Sequence, residues 1–278
     1  MALVKTEGIV LRAMDYRETS KIATIYTKDV GKIRVIAKGI RKQKGGYAGA
    51  ALDAPTRDAI IFSYREGREL SILTQADILD PYLHLKNRYE AISTAWRIVE
   101  LVDHSVHDGD PNLSLYQLLN QAFELLNGET KSTENVFYAF EIAFAEVLGF
   151  ALQLQRCVRC KKKLSFPSRE PTTILFSIAR GGFTDASCAQ HEPAGLQTSP
   201  GVVRSLQHLQ RDGMSGARRI RLSPSAAREI DGLLSLYLRY HIDELNRVRT
   251  KSRDRTLERR SPVVEKNSEY LKDSLMRR

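Results

Sequence analysis

All three cysteines of the 278-residue chain fall in one segment. Cys157-x2-Cys160 is followed, after residues 161–187, by Cys188-x2-His191. Each x2 turn can present two ligands to one edge of a tetrahedron. Thiolates with an imidazole select Zn²⁺ over Mg²⁺ or Ca²⁺, which take oxygen donors. The four candidate ligands Cys157, Cys160, Cys188 and His191 would close the coordination sphere, so the expected role is structural. A catalytic zinc keeps one position open and needs a neighbouring acid or base. The H-x-E…P-C-x-x-C pattern of zinc deaminases and the H-E-x-x-H pattern are both absent.

A second constellation is GKIRVIAKGIRKQKGGYAG, residues 31–49. It holds Lys32, Arg34, Lys38, Arg41, Lys42 and Lys44 and no acid. A strand over 32–37 puts Lys32 and Arg34 on one face, opposite Ile33 and Val35. Lys38 to Lys44 then form a glycine-flanked basic loop. Such cations meet phosphates without demanding a base sequence, and Tyr47 offers a stacking surface for an unpaired base. A third basic run, Arg247, Arg249, Lys251, Arg253, Arg255, Arg259 and Arg260, stands against Asp254 and Glu258. It suits either a polyanion-binding arm or a solvated tail.

Charge supports an anionic partner. The chain carries +10 with a sequence pI of about 9.5. Residues 1–80 hold 14 basic and 10 acidic side chains, residues 81–150 hold 4 and 10, and residues 151–278 hold 25 and 13. The ends are basic and the middle is acidic, so a polyanion is expected at the ends. Enzyme signatures are missing: there is no G-x-x-x-x-G-K-[ST], no G-x-S-x-G, no kinase set and no dinucleotide fingerprint. Histidines 84, 104, 107, 208 and 241 are scattered, and carboxylates form no two-metal pattern. The chain is therefore not expected to be an enzyme. It has no run of eighteen apolar residues, and its start lacks a signal-peptide core. Three clustered cysteines are no disulfide framework. A cytoplasmic protein with no membrane partner is expected.

The elements that must position these residues follow from periodicity. Residues 1–80 contain five short β-branched or alternating runs, at 6–14, 20–27, 31–39, 57–64 and 69–79. Five strands without exposed edges suggest a small closed barrel, an OB-fold or an SH3-like barrel. Pro81 opens a helical region. Leu85, Tyr89, Ile92, Trp96 and Val99 recur at helical spacing, as do Leu115, Leu118, Leu119, Ala122, Phe123 and Leu126 before a stop at Gly128. Val136, Phe137, Phe140, Phe144 and Val147 mark a third helix. The cysteine segment 157–191 interrupts this pattern, with a β-hairpin over 172–185 turning at Gly181-Gly182. Helices resume at Pro200, and again at Pro224 after the N-cap Ser223, with Ile230, Leu233, Leu234, Tyr237, Leu238 and His241 on one face. Three parts result: a nucleic-acid-binding barrel over 1–80, a helical domain over 81–246 with the insertion at 157–191, and a basic tail over 247–278.

This order of parts resembles the RecO recombination mediator family. The resemblance lies in TEGIVLRAMDYRETSKIATIYTKDVGKIRVIAKGIRK at residues 6–42, FEIAFAEVLGFAL at 140–152 and CVRC at 157–160. ARGGF at 179–183, Cys188 and LLSLYLRYHI at 233–242 agree. It implies an α+β chain: an N-terminal five-stranded OB-fold barrel, then an α-helical domain with an inserted zinc-ribbon-like knuckle holding a structural Zn²⁺. It implies a non-enzymatic, nucleoid-associated DNA repair and recombination mediator. Such a protein binds single- and double-stranded DNA, anneals complementary strands and, with RecR, helps load RecA onto DNA coated with single-stranded-DNA-binding protein. RecF completes the implied partners. An acidic C-terminal peptide of the single-stranded-DNA-binding protein would need a basic rim, for which the helical region offers Lys86, Arg88, Arg97 and Lys131. Family members commonly have four cysteines; here the last position is His191, and zinc accepts Cys₃His. A different class of function also fits the residues: a zinc-containing protein-interaction module whose nucleic-acid binding is incidental.

Overall fold

The computed structural model describes residues 2–40, 51–64, 67, 69–130, 132–164, 174–191, 195–242 and 245. Arg41, Lys42, Lys44, Tyr47 and the basic run from Arg247 lie outside these residues.

Five strands form the N-terminal unit: β1 (Ala2–Tyr16), β2 (Ser20–Thr27), β3 (Gly31–Ala37), β4 (Thr56–Tyr64) and β5 (Ser71–Asp80). They close into a barrel in the order β1-β2-β3-β5-β4, with β4 returning to β1. Only β3 and β5 run parallel. This is the OB-fold arrangement, one of the two barrels the strand count allows. Val10, Ala23, Ile25, Val35, Ile60 and Phe62 fill the interior.

Side chains alternate across a strand, so the residues flanking Val10 point out of the barrel. Ile9, Leu11 and Tyr26 are fully buried there against the helices, as part of the helical core. A β-bulge follows: Val10 pairs with Ile25, but Arg12 pairs with Thr24 and Leu11 has no partner. Strict alternation would send Arg12 inward with Val10. The extra residue turns it to the outer face.

The helical unit comprises α1 (Leu83–Lys86), α2 (Tyr89–Ser105), α3 (Leu113–Asn127), α4 (Thr133–Val147), and, after the insertion, α6 (Pro200–Ala217) and α7 (Pro224–His241). Asn112, Ser132, Ser199 and Ser223 each accept a bond from a backbone N–H of the first turn, which starts α3, α4, α6 and α7. Helix α4 is buried around nearly its whole circumference, from Asn135 to Ala145, and is the bundle's axis.

One stripe departs from expectation. Tyr89 and Trp96 are exposed, at 77% and 42%. The buried face of α2 runs instead through Ala91, Ala95, Ile98 and Val102. Small residues let α2 approach α4 and β1 closely, and that rotates its two aromatics outward.

The barrel is fastened to the helices by polar contacts as well. Gly109 N–H donates to Lys32 O at 2.8 Å, and Tyr116 Oη donates to Glu7 Oε2 at 3.1 Å. At Gly31, φ is +77° and an added Cβ would lie 2.2 Å from the Asp110 carbonyl oxygen, so only glycine permits this approach.

The insertion adds β6 (Ile174–Ser177), β7 (Gly182–Thr184), the one-turn helix α5 (Ala186–Ala189) and β8 (Leu196–Thr198), with the sheet ordered β7-β6-β8. It is welded to the bundle. Phe176 meets Phe183 and Tyr237 edge-on, Tyr237 Oη donates to Phe150 O at 2.6 Å, and a Cβ at Gly181 would strike the Tyr237 hydroxyl.

Glu141 lies inside α4's surroundings with Oε2 unpartnered. Burial, reinforced by Asp231 and opposed by Arg97, holds its carboxyl well above the ordinary range. A raised folded-state value means that the native state holds the proton more tightly than the unfolded one. The associated stability is present below the unfolded value and is lost as pH rises. As pH rises above the ordinary carboxylate range, Glu141→Gln should therefore lose less stability than the parent protein. Urea unfolding at a series of pH values reads this directly, and parallel profiles would refute it.

Candidate nucleic-acid interface and metal centre

The outer face of the barrel is divided by its neighbours. One part, with Ile9, Leu11, Tyr26 and Lys32, is covered by the helices. The rest is arranged in cross-strand rows. Arg12, Thr24 and Arg34 stand side by side on β1, β2 and β3. Two residues further along each strand, Met14, Ile22 and Ile36 form a second row, continued by Ile72 on β5. Paired residues point to the same side of a sheet, so these rows make one surface. Met14 and Ile72 are 64% and 38% exposed. A groove of about 650 Å³ runs where this face meets α2, and Trp96, Val99, Glu100 and Asp103 form its far wall.

The two cations expected on β3 have different fates. The Lys32 ammonium is buried and donates to Asp103 O at 2.6 Å. It also lies 3.5 Å from Asp103 Oδ1 and 3.4 Å from Asp108 Oδ1. Its charge is neutralised, and it ties the barrel to the end of α2 rather than facing outward. Arg34 is exposed and lines the groove, with no carboxylate paired to it among the described residues. Lys38 is exposed as well. Arg12, which sequence patterning did not single out, joins them: its Nε is 3.1 Å from Asp103 Oδ2, yet its side chain is 51% exposed. Trp96 was expected in the core. The bulge that exposes Arg12 and the rotation that exposes Trp96 leave no local signal in a single sequence.

The helical cations proposed for a basic rim are engaged elsewhere. Lys86 donates to Asp53 O, Arg88 to the carbonyls of Leu126 and Gly128, and Arg97 to Asp231 Oδ1 at 2.6 Å while lying over the Phe137 ring. Lys131 lies outside the described residues.

The cysteines do converge. The sulfurs of Cys157, Cys160 and Cys188 and a carboxylate oxygen of Asp185 all lie within 4.8 Å of one another, a group that can hold a metal ion. His191 is not in this group. Asp185-x2-Cys188 has the same spacing as Cys188-x2-His191, and it is the upstream pair that stands beside Cys157 and Cys160. Asp185 is the N-cap of α5: its Oδ1 accepts from Cys188 N–H at 2.8 Å, which swings carboxylate and thiol to the same end of the helix. His191 follows the end of that helix and is exposed, its N–H spent on Cys188 O.

The first turn is equally fixed. Lys161 N–H donates to Cys157 O, Cys157 N–H to Lys162 O, and Val158 N–H to Phe183 O. Burial opposes ionisation of Cys157, but the N–H groups of Cys160, Asp185 and Arg159 outweigh it and lower its thiol. The Cys160 thiol donates to Asp185 Oδ2 at 3.0 Å; this contact drives Asp185 well below the carboxylate range and pushes Cys160 up to about 12. A bound cation would remove that proton and take the freed oxygen and sulfur as ligands. Three sulfurs and one oxygen make a complete four-ligand set, which suits holding the fold more than catalysis.

Comparison with known proteins covers both halves. The model of Recombination protein O, N terminal, matches residues 1–82, and that of Recombination protein O, C terminal, matches residues 86–251. A DNA repair protein RecO of Geobacter metallireducens is 33% identical over 250 residues, 88% of this chain and 96% of the relative. Another, of Moorella thermoacetica, is 31% identical over 248 residues, 89% of each chain. A third, of Chloroherpeton thalassium, is 28% identical over 249 residues, 89% of this chain and 96% of the relative.

The different fates of Lys32 and Arg34 are separable by stability. Lys32→Met should cost about 2 kcal/mol, because Asp103 loses the buried one of its two cationic partners and its carbonyl loses a donor. Arg34→Met should stay within about 0.5 kcal/mol. Urea denaturation measures both, and equal midpoints would show that Lys32 is no tie.

Proposed function

The chain belongs to the Recombination protein O family, and we propose that within DNA repair it is a strand-annealing mediator rather than an enzyme. In this reading the exposed barrel face receives single- and double-stranded DNA. Arg12, Arg34 and Lys38 would hold phosphates. Met14, Ile22, Ile36, Ile72 and Trp96 would offer flat apolar support to bases without reading their identity. Cations held on a rigid sheet lower the repulsion between two strands, and contacts that ignore base edges leave those edges free to pair.

The observation that carries this reading is the pair of cross-strand rows, a cationic row beside an apolar one, both left uncovered by the helices. The family resemblance supports loading of RecA onto DNA covered by single-stranded-DNA-binding protein, with RecR and RecF as partners. It also supports action at the nucleoid in the cytoplasm. No helix among the described residues is long and apolar enough to cross a membrane.

Fluorescence anisotropy with labelled oligonucleotides tests the face. Arg12→Gln/Arg34→Gln should weaken single-strand binding and reduce the salt slope by roughly 1.4, near 0.7 for each lost phosphate contact. Trp96→Ala should weaken binding about tenfold with the salt slope unchanged. Unaltered affinity in both variants would remove the face from the interface. Wild-type protein that fails to speed annealing of complementary strands at low salt would remove the function.

For the metal centre, we infer a structural Zn²⁺ held by Cys157, Cys160, Asp185 and Cys188, since borderline-soft thiolates favour it over Mg²⁺ or Ca²⁺. When bound, the ion supplies only a cross-link between two turns. Asp185→Ala should lower the zinc content of purified protein, whereas His191→Ala should leave it unchanged. Metal analysis showing the reverse would restore His191 as the fourth ligand.

A further inference from the structure

The turn that carries Cys157 and Cys160 presents a second cationic surface, separate from the barrel face. Arg156, Arg159, Lys161, Lys162 and Lys163 fall within eight consecutive residues that include no acid, and all five are exposed. Their spacing comes from a fixed backbone. Residues 155–164 double back on themselves: Leu164 N–H donates to Gln155 O, Cys157 N–H to Lys162 O and Lys161 N–H to Cys157 O. The turn needs a positive φ of 64° at Lys161, a conformation that favours glycine or asparagine, yet the position holds a lysine.

The arrangement works against folding. Arg156 and Lys163 are antiparallel bridge partners, so two like charges stand directly opposite each other, a destabilising pair. Among the described residues no carboxylate forms an ion pair with any of the five. The two guanidinium groups donate instead to neutral carbonyls, Arg156 to Lys161 O and Arg159 to His191 O, which orients them without cancelling their charge.

Charge balance at the metal does not account for them. A divalent ion with three thiolates and one carboxylate carries −2, and five cations around it leave +3. The surface offers no apolar anchor among these exposed residues, as a peptide ligand would want. It is suited to an evenly charged backbone.

We infer that this cationic turn binds the phosphate backbone of a second nucleic-acid strand, while the first lies on the barrel face. This rests on the DNA-binding role proposed above and adds to it a second site on a different unit of the fold. Two strands could then be held at once by one chain, through contacts that ignore base sequence.

The test uses the full chain and two poly(dT) oligonucleotides, one with a donor dye and one with an acceptor, which cannot pair with each other. Energy transfer therefore reports capture of both by protein. Lys161→Asn/Lys162→Gln/Lys163→Gln should reduce the transfer about fivefold or more at low salt, with binding of a single oligonucleotide changed less than about twofold. The arginine counterpart, Lys161→Arg/Lys162→Arg/Lys163→Arg, should restore transfer; metal content should match the wild type in both variants, and the neutralised variant should unfold at the wild-type temperature or above it, since it relieves the like-charge pair and the positive φ at Lys161. Transfer at the wild-type level in the neutralised variant overturns the inference, as does loss of transfer that follows loss of metal. Displacement of the second oligonucleotide by polyglutamate from wild type, with no effect of the substitutions on DNA, would assign the turn to an acidic protein and also overturn it. Wild-type protein that binds neither oligonucleotide would instead sink the DNA role itself.

Discussion

Strand β1 belongs to two cores at once, and the rest of the structure hangs on that. Val10 points into the barrel, while Ile9 and Leu11 point out of it into the helical bundle. Full burial of such aliphatic side chains contributes roughly 1.5–3 kcal/mol each. A barrel detached from the helices would expose Ile9, Leu11 and Tyr26 together and leave the Lys32 ammonium beside an empty face. The barrel therefore has one orientation on the helices. That orientation decides which part of its outer sheet stays open.

The open part owes its character to the bulge at Leu11. By turning Arg12 outward, the bulge completes a row with Thr24 and Arg34 and aligns Met14 with Ile22. A residue of helix α2 then borders a surface made by strands, so the candidate interface is a property of the docked pair and not of the barrel alone. The knuckle obeys the same logic at the other end of the sequence. Its sheet shares Phe176 and Phe183 with the bundle core, and Gly181 and Gly182 let it sit against Tyr237 and Gln153. Cations on its cysteine turn are thus held on a rigid mount.

The two metal-ligand pairs illustrate how far spacing reaches. Cys157-x2-Cys160 is unambiguous because no other donor competes with it locally. On the other side Asp185, Cys188 and His191 are three donors at equal spacing, and spacing cannot rank them. Helix capping does: Asp185 is drawn to the N–H groups that start α5, and the helix carries the chain past Cys188 before His191 is reached.

Local chemistry determined a good deal by itself. β-branched alternation marked five strands, helical spacing marked the bundle, and serine before proline marked the start of α7. Paired cysteines marked the candidate metal turn, and charge clustering marked the basic segments. These features depend on residues within a few positions of each other, which is why a single sequence carries them. Tertiary structure alone decided which cations remain available, since Lys32 and Arg34 share a face but only Lys32 meets Asp103 and Asp108. It also decided that Trp96 faces a groove instead of the core and that Arg12 faces out. Each of these choices is set by partners tens of residues away, and burial against such partners selects among local conformations that the chain's own neighbours leave nearly equal in energy.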